Sequence, residues 1–260
     1  MKQKTLFKYY GGKHYLIKDI FDHISFLYGQ DKIKCFVDVF GGSGRVLLNI
    51  PNEWNVVKVY NDIDSRLYDL MLILQDEKKR NELLNKLDYT LNSRQLFEQL
   101  KKENTAFSLL YRTNLGFSGD TNSYAININK NIDNLQNLEN NIKRNFKYIK
   151  KWTIENLDYK KLIEKYDSET TFFYLDPPYL KGGKAYKYPF SETDFKEMKN
   201  ILDNIKGKWL MNESEVDFEK IINIFGEPKT TKKYTNNQHN RKNTIKTYRL
   251  EGFWDNFSLQ

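Results

Sequence analysis

Cysteine is almost missing from this chain. Cys35 stands alone among 260 residues, so no intramolecular disulfide and no cysteine-built zinc site can form. Histidine is nearly as scarce, and His14, His23 and His239 lack the spacing of metal ligands; no metal site is expected. With 5 prolines and 13 glycines the chain is neither collagen-like nor a proline-rich disordered segment. Long hydrophobic runs are absent too: Cys35-Phe36-Val37 and Leu70 to Leu74 are far too short to span a bilayer. The first residues, Met1 to Lys8, carry charge but no signal-peptide core. Together these absences predict a soluble, cytoplasmic protein.

What is present is enough to build a core. Hydrophobic residues make up 39% and aromatic residues 15% of the chain, which suits one large domain or a domain with an insert. Lys+Arg 42 against Asp+Glu 34 leaves a net charge of +8, which favours a polyanionic partner.

Residues 1–75 read helix, strand, helix, strand, helix. Lys13 to Tyr28 has helical spacing, Cys35 to Phe40 is a buried strand ended by glycines, and Val46 to Ile50 starts a helix that Pro51 stops. Val56 to Tyr60 is a second strand, followed by a helix through Leu67, Leu70, Met71 and Leu74. Strands alternating with helices predict a parallel sheet. The alternation stops over 76–151, where Leu83, Leu84, Leu87, then Leu96, Phe97, Leu100, and later Ile142, Phe146, Ile149 give helices around a polar break at Gly116 to Lys130. It resumes with a helix at Tyr159 to Tyr166, a strand at Thr171 to Leu175, a helix at Phe195 to Ile205 and a strand at Lys208 to Met211. Pro228 to Thr235 and Thr244 to Phe253 read as a hairpin. The expected division is a catalytic domain of 1–75 and 152–260 with a helical insert at 76–151.

The decisive motif is Asp176-Pro177-Pro178-Tyr179, delivered by the apolar strand Thr171 to Leu175. Ligands bind at the carboxyl edge of such sheets. Two prolines stiffen the turn and remove two N–H donors, leaving a carboxylate and free carbonyls beside an aromatic ring. Those acceptors suit an amino group on a flat heterocycle, held by hydrogen bonds while the ring stacks on the base. A second motif, Asp38-Val39-Phe40-Gly41-Gly42-Ser43-Gly44, lets a ligand approach the first strand–helix turn. Leu47 stands where the dinucleotide fingerprint needs a third glycine, and Asp38 favours a ligand carrying positive charge over a pyrophosphate. Asp62, at the end of the second strand, is placed to hold ribose hydroxyls, and Asp64 reads as the cap of the next helix. Lys8-Tyr9-Tyr10-Gly11-Gly12-Lys13 is a glycine turn opening the first helix.

These motifs, in this order, resemble the Dam-type DNA adenine-N6 methyltransferases, the alpha group (D12 class) of amino-methyltransferases. The resemblance implies an α/β, Rossmann-like sheet that uses S-adenosylmethionine, with the helical insert as target-recognition domain. It implies Asp176, Pro177, Pro178 and Tyr179 as catalytic residues. Its cofactor set comprises Tyr9, Lys13, Asp38, Phe40, Gly41, Gly42, Gly44, Asp62, Asp158 and Asp176; Tyr9 stands where a Trp is usual, and Asp158-Tyr159 looks like the family's Asp-Phe pair. Cys35 cannot supply a covalent intermediate and reads as a core residue.

Basic and aromatic segments nominate DNA contacts. These are Lys181, Lys184, Tyr186 and Lys187 after the catalytic turn, Asn237, Arg241 and Lys242 near the hairpin tip, and Arg112, Asn114 and Asn122 in the insert. The expected reaction is methyl transfer to adenine N6 in duplex DNA after base flipping, and a cognate restriction endonuclease is left open as a partner. The same amine chemistry serves an N4-cytosine methyltransferase. An idle DNA-binding protein with a remnant pocket, or an RNA or small-molecule methyltransferase, is the further alternative.

Overall fold

Alternation of side chains along fully buried strands decides the architecture. The computed structural model describes residues 3–29, 32–125, 134–181, 187–239 and 244–257. β1 (Cys35–Asp38) and β2 (Val57–Asn61) pair in parallel, and β1 pairs on its other side with β4 (Thr171–Leu175). β3 (Thr153–Glu155) adds to β2, β5 (Lys208–Ser214) adds to β4, and the hairpin of β6 (Thr230–His239) and β7 (Thr244–Asp255) closes the far edge, with β7 antiparallel to β5. The sheet order is β3-β2-β1-β4-β5-β7-β6.

Phe36, Tyr60, Phe172, Tyr174, Leu210 and Phe253 point to one face of the sheet. Val37, Val59, Phe173, Leu175, Met211 and Trp254 point to the other. The first face is covered by α1 (Ile17–Gly29) and α3 (Ser65–Gln75); α2 (Arg45–Leu48) is a single turn between β1 and β2. The same core continues without a break into α4 (Glu77–Asp88), α5 (Arg94–Leu100), α6 (Ala106–Leu115) and α7 (Asn134–Ile149). The second face is covered by α8 (Tyr159–Tyr166), α9 (Glu192–Leu202) and α10 (Phe218–Phe225). No helix among the described residues is long and apolar enough to cross a membrane.

Four elements add to or depart from the sequence reading. α6 lies in the stretch read as helical, ahead of the polar break at Gly116, but no period of its own marks it, because Ser108, Thr113 and Asn114 are buried with its apolar residues and leave no amphipathic stripe. β3 is three residues long and shows no period. α10 follows a short 3-10 turn, Glu215–Asp217, and was passed over because only Ile221 of its residues is fully buried. α1 begins at Ile17 rather than Lys13, because Lys13 is drawn into the site described below.

Asn61 ties the site-bearing edge together. Its Nδ2 donates to the carbonyls of Val39 (2.9 Å) and Leu157 (3.1 Å), and its Oδ1 accepts from Leu157 N (2.8 Å). Asn61→Ala leaves three backbone groups unpaired in the interior. It should cost about 2–3 kcal/mol, read as a lower urea midpoint with an unchanged denaturant slope.

Candidate active site

The glycine loop is shaped by β2 beneath it. Gly41 N donates to Asn61 O at 2.7 Å, so the two backbones nearly touch. A Cβ on Gly41 would lie 2.4 Å from the Tyr60 ring, which excludes any other residue there. Gly42 takes φ +51°, a conformation L side chains avoid, and faces the Tyr9 ring. Its N–H donates to Asp62 Oδ2 (2.9 Å), while Tyr60 OH donates to its carbonyl (2.7 Å). Asp62 Oδ1 accepts from Asp64 N at 2.9 Å. The acid expected to hold a ligand therefore also pins the loop. Asp64 caps α3 as expected, accepting from Arg66 N and pairing with the Arg66 guanidinium.

At the end of β4, Asp176 meets a lysine from the other end of the chain. Lys13 Nζ lies 2.7 Å from Asp176 Oδ1, donates to Tyr179 OH at 2.7 Å and to Gly11 O at 3.2 Å. All three ammonium donors are used, and the side chain is 3% exposed. Burial acts to lower the Lys13 pKa, but Asp176 and then Tyr179 outweigh it and hold the ammonium well above the usual lysine range. Burial raises Asp176, and Lys13 opposes it by charge and hydrogen bond. The pair is a buried ion pair with Tyr179 locked to it.

One cavity joins the loop and the turn. Tyr9, Lys13, Asp38, Phe40, Gly41, Gly42, Asp62, Asp176 and Pro178 all line it. Burial raises Asp38, and the charges of Asp176 and Asp62 raise it further; burial pushes Asp62 up to about 6. Asp64 lines the cavity too, as do Lys13, Arg45 and Lys187; with Asp176 paired to Lys13 and Asp64 to Arg66, Asp38 and Asp62 are the acids whose raised pKa a cationic ligand relieves. Gly44 instead starts α2 from a left-handed conformation. Asp158 is exposed and caps α8, accepting from Lys160 N. Tyr179 faces the neighbouring cleft of about 690 Å³, with Lys181, Ser214, Tyr234 and Arg249.

The nominated DNA residues divide. Arg112 (5% exposed) and Asn114 (3%) are held inside the chain. Arg112 Nη1 donates to Thr121 O, and Asn114 Nδ2 donates to Leu110 O. Asn122, Lys181 and Lys187 are exposed. Lys184, Tyr186, Arg241, Lys242 and the Asn237 side chain lie outside the described residues.

Sequence reasoning missed a set of buried acids beside Tyr179. Glu213 is 0% exposed, and neither of its carboxylate oxygens has a partner among the described residues. Glu251 accepts from Tyr15 OH at 2.8 Å, and Asp217 Oδ2 accepts from Lys181 N at 3.4 Å. Burial and then the Asp176 charge raise Glu213 well above the carboxylate range. Nothing in Glu213-Ser214-Glu215-Val216-Asp217 marks which acids are enclosed.

A mixed sheet with its last strand antiparallel, a glycine loop after β1 and a proline-stiffened acid after β4 define a Rossmann-like methyltransferase fold with helical insertions. The chain belongs to the D12 class N6 adenine-specific DNA methyltransferases, whose family model matches residues 9–236. It is also similar to the Type II methyltransferase M.MjaIII of Methanocaldococcus jannaschii, at 27% identity over 232 residues, 75% of this chain and 77% of that protein. The protein is thus a DNA methyltransferase, and its family implies S-adenosylmethionine as methyl donor. The residues fit that group: its sulfonium and ammonium charges match Asp38 and Asp62, and the Gly41–Gly42 backbone leaves room for close approach. The exposed Lys187 and Tyr188 also line this cavity.

Removing Lys13 strands a buried carboxylate. Lys13→Met should cost about 3–5 kcal/mol, and Lys13→Met/Asp176→Asn should recover much of it by removing the orphaned charge. Equilibrium unfolding of both variants checks this; equal loss in both contradicts the buried ion pair.

Proposed function

We propose that the protein is a Dam-type, site-specific enzyme that methylates N6 of adenine in duplex DNA, with Asp176, Pro177, Pro178 and Tyr179 as the catalytic turn. The observation that carries this reading is the Lys13–Asp176–Tyr179 cluster at the edge of the glycine-loop cavity. An exocyclic amine conjugated to a purine is a poor nucleophile, because its lone pair is delocalised into the ring. Lys13 engages Asp176 Oδ1, which leaves Oδ2 to accept one amine N–H while the Pro177 carbonyl accepts the other. Held so, the nitrogen turns its lone pair out of the ring plane. S-adenosylmethionine, when bound, supplies an electrophilic methyl group at a sulfonium centre. Asp176 then takes up or relays the proton that the methylated nitrogen sheds. Tyr179, its hydroxyl fixed by Lys13, stacks on a base flipped out of the duplex. The protein's contribution is positioning and electrostatics rather than covalent catalysis.

The helical segment 76–151 serves in this reading as the target-recognition insert. Tyr9, Lys13, Asp38, Phe40, Gly41, Gly42 and Asp62 hold the cofactor; Gly44 supports the loop from behind, and Asp158 contributes from the start of α8. The likeness to a type II methyltransferase is compatible with a cognate endonuclease partner.

Asp176→Ala should lower methylation by 100-fold or more, since lost positioning commonly costs that much; labelled-methyl incorporation into duplex DNA reads it. Turnover within about tenfold of wild type overturns the assignment. Mass analysis of nucleosides from the product separates N6-methyladenine from N4-methylcytosine.

The Asp62 shift gives a pH dependence. With a pKa of about 6, Asp62 is mostly neutral at pH 5 and mostly ionised at pH 7. A ligand held by the ionised form should bind up to about tenfold tighter at pH 7 than at pH 5, measured by titration calorimetry. Asp62→Asn should flatten that rise, and an unchanged slope contradicts the role.

A further inference from the structure

A second cavity, of about 270 Å³, lies beside the cofactor cavity and belongs to no part of the mechanism above. Among the described residues that line it, Arg66, Lys101, Lys102, Arg112 and Lys187 face the single carboxylate of Glu103. It is walled by the insert on one side and by the Tyr9–Tyr10 turn on the other, and it meets the cofactor cavity at Tyr9, Tyr10 and Lys187.

The cations are built into place. Arg112 Nη1 donates to Thr121 O at 3.1 Å and its Nε to Ser108 Oγ at 3.2 Å, which fixes the guanidinium at the end of α6. Asp64 orients Arg66 from the start of α3. Lys187 Nζ donates to Asn104 Oδ1 at 2.9 Å, joining the segment after the catalytic turn to the α5–α6 connection. Lys101 pairs with Glu98 at 2.8 Å, whereas Lys102 has no ion pair among the described residues. Even with Asp64, Glu98 and Glu103 counted against the five cations, the cavity keeps a net positive charge. Burial lowers the Arg112 pKa and the nearby Arg66 charge lowers it further, against the opposing charges of Asp120 and Asp64. Two oriented guanidinium groups with ammonium groups beside them are the donor set that phosphate oxygens take.

We propose that this cavity is a phosphate-binding site whose occupant is a backbone phosphodiester of the DNA strand that presents the target nucleotide. The placement gives the reason. A phosphate held between Arg112 and Lys187 sits next to the cavity containing Asp176, so it anchors the strand where the flipped base must enter. It also couples the insert to the catalytic turn, because Arg66, Arg112 and Lys187 come from three separate parts of the chain. The proposal rests on the DNA-methyltransferase reading. A free pyrophosphate or nucleotide offers the same chemistry, and the test separates the two sources.

The test uses the full chain. Affinity for a duplex carrying a methylatable site is measured by fluorescence anisotropy against salt concentration, for wild type, Lys101→Ala, Lys102→Ala and Lys161→Ala. Lys101 and Lys102 are exposed at the end of α5, and Lys161 is exposed on α8, remote from the cavity. Loss of a phosphate contact should make the log–log salt dependence shallower by about one unit for Lys102→Ala, with several-fold weaker binding, and leave Lys161→Ala at the wild-type slope. Inorganic pyrophosphate should compete with DNA on wild type and compete less on Lys102→Ala. Slopes unchanged in Lys101→Ala and Lys102→Ala, with methylation retained, overturn this inference and leave the functional reading intact. Pyrophosphate binding that depends on Lys102 without any change in the DNA slope overturns the DNA occupant in favour of a free phosphate compound. A wild-type protein that neither binds nor methylates duplex DNA overturns both.

Discussion

The buried ion pair between Lys13 and Asp176 is the constraint on which the rest of the site depends. Taking an ammonium out of water costs several kcal/mol unless its donors are all engaged, and here Asp176, Tyr179 and the Gly11 carbonyl engage them. Satisfying Lys13 forces the amino-terminal segment to cross the carboxyl edge of the sheet. It delays α1 to Ile17, lays the Tyr9 ring against Gly42, and brings Tyr9 and Tyr10 to the junction of the three cavities. A single electrostatic requirement therefore sets the shape of the glycine-loop cavity, the orientation of the Tyr179 ring and the wall shared with the basic cavity.

The acids beyond that pair are compensated less. Burial pushes Asp38 and Asp62 toward neutrality and neighbouring carboxylates add to it, while Asp62 recovers part of the loss by accepting from Gly42 N and Asp64 N. Stability is lost in making this edge, because a carboxylate whose pKa rises on folding opposes folding as pH climbs through that value. A ligand with positive charge restores what folding gave up. The site thus carries ground-state electrostatic strain that binding relieves, which ties cofactor affinity to the same residues that weaken the empty fold. Glu213, enclosed beside Tyr179 with no partner, belongs to the same pattern.

How much of this was legible in the sequence follows from the kind of signal each feature leaves. The strands Thr171 to Leu175 and Cys35 to Asp38 were legible because a strand buried on both faces is continuously apolar. Asp38 and Asp176 stand at the ends of such runs, and Asp62 is marked instead by its distance of 20 residues from Gly42, which is why all three could be placed at the carboxyl edge. The lysine–aspartate pair was not, since the two residues are far apart in the chain and only the fold brings them together. α6 was hidden by its burial, which erases the polar stripe that marks a surface helix. Its polar residues explain the placement of Arg112: by residue type Arg112-Thr113-Asn114 suits groove contacts, whereas in a buried helix those groups bond to the chain. Arg112 faces the basic cavity at the end of that helix, so its charge is displayed to a restricted space rather than to open solvent.

That distinction bears on how the insert works with the sheet. α4 to α7 share one apolar core with α1, α3 and the inner sheet face, so no soft linker separates them from the catalytic edge. Packed side chains rather than a hinge join the insert to that edge, and interiors at crystal-like density yield little. The Lys187–Asn104 bond adds a direct strut from the segment after Tyr179 to the α5–α6 connection. Lys187 lines both cavities and Tyr188 lines the glycine-loop cavity, so the two sites proposed above share one wall. In that reading DNA and cofactor meet the same segment, and a coupling between two ligands through a shared element is reciprocal.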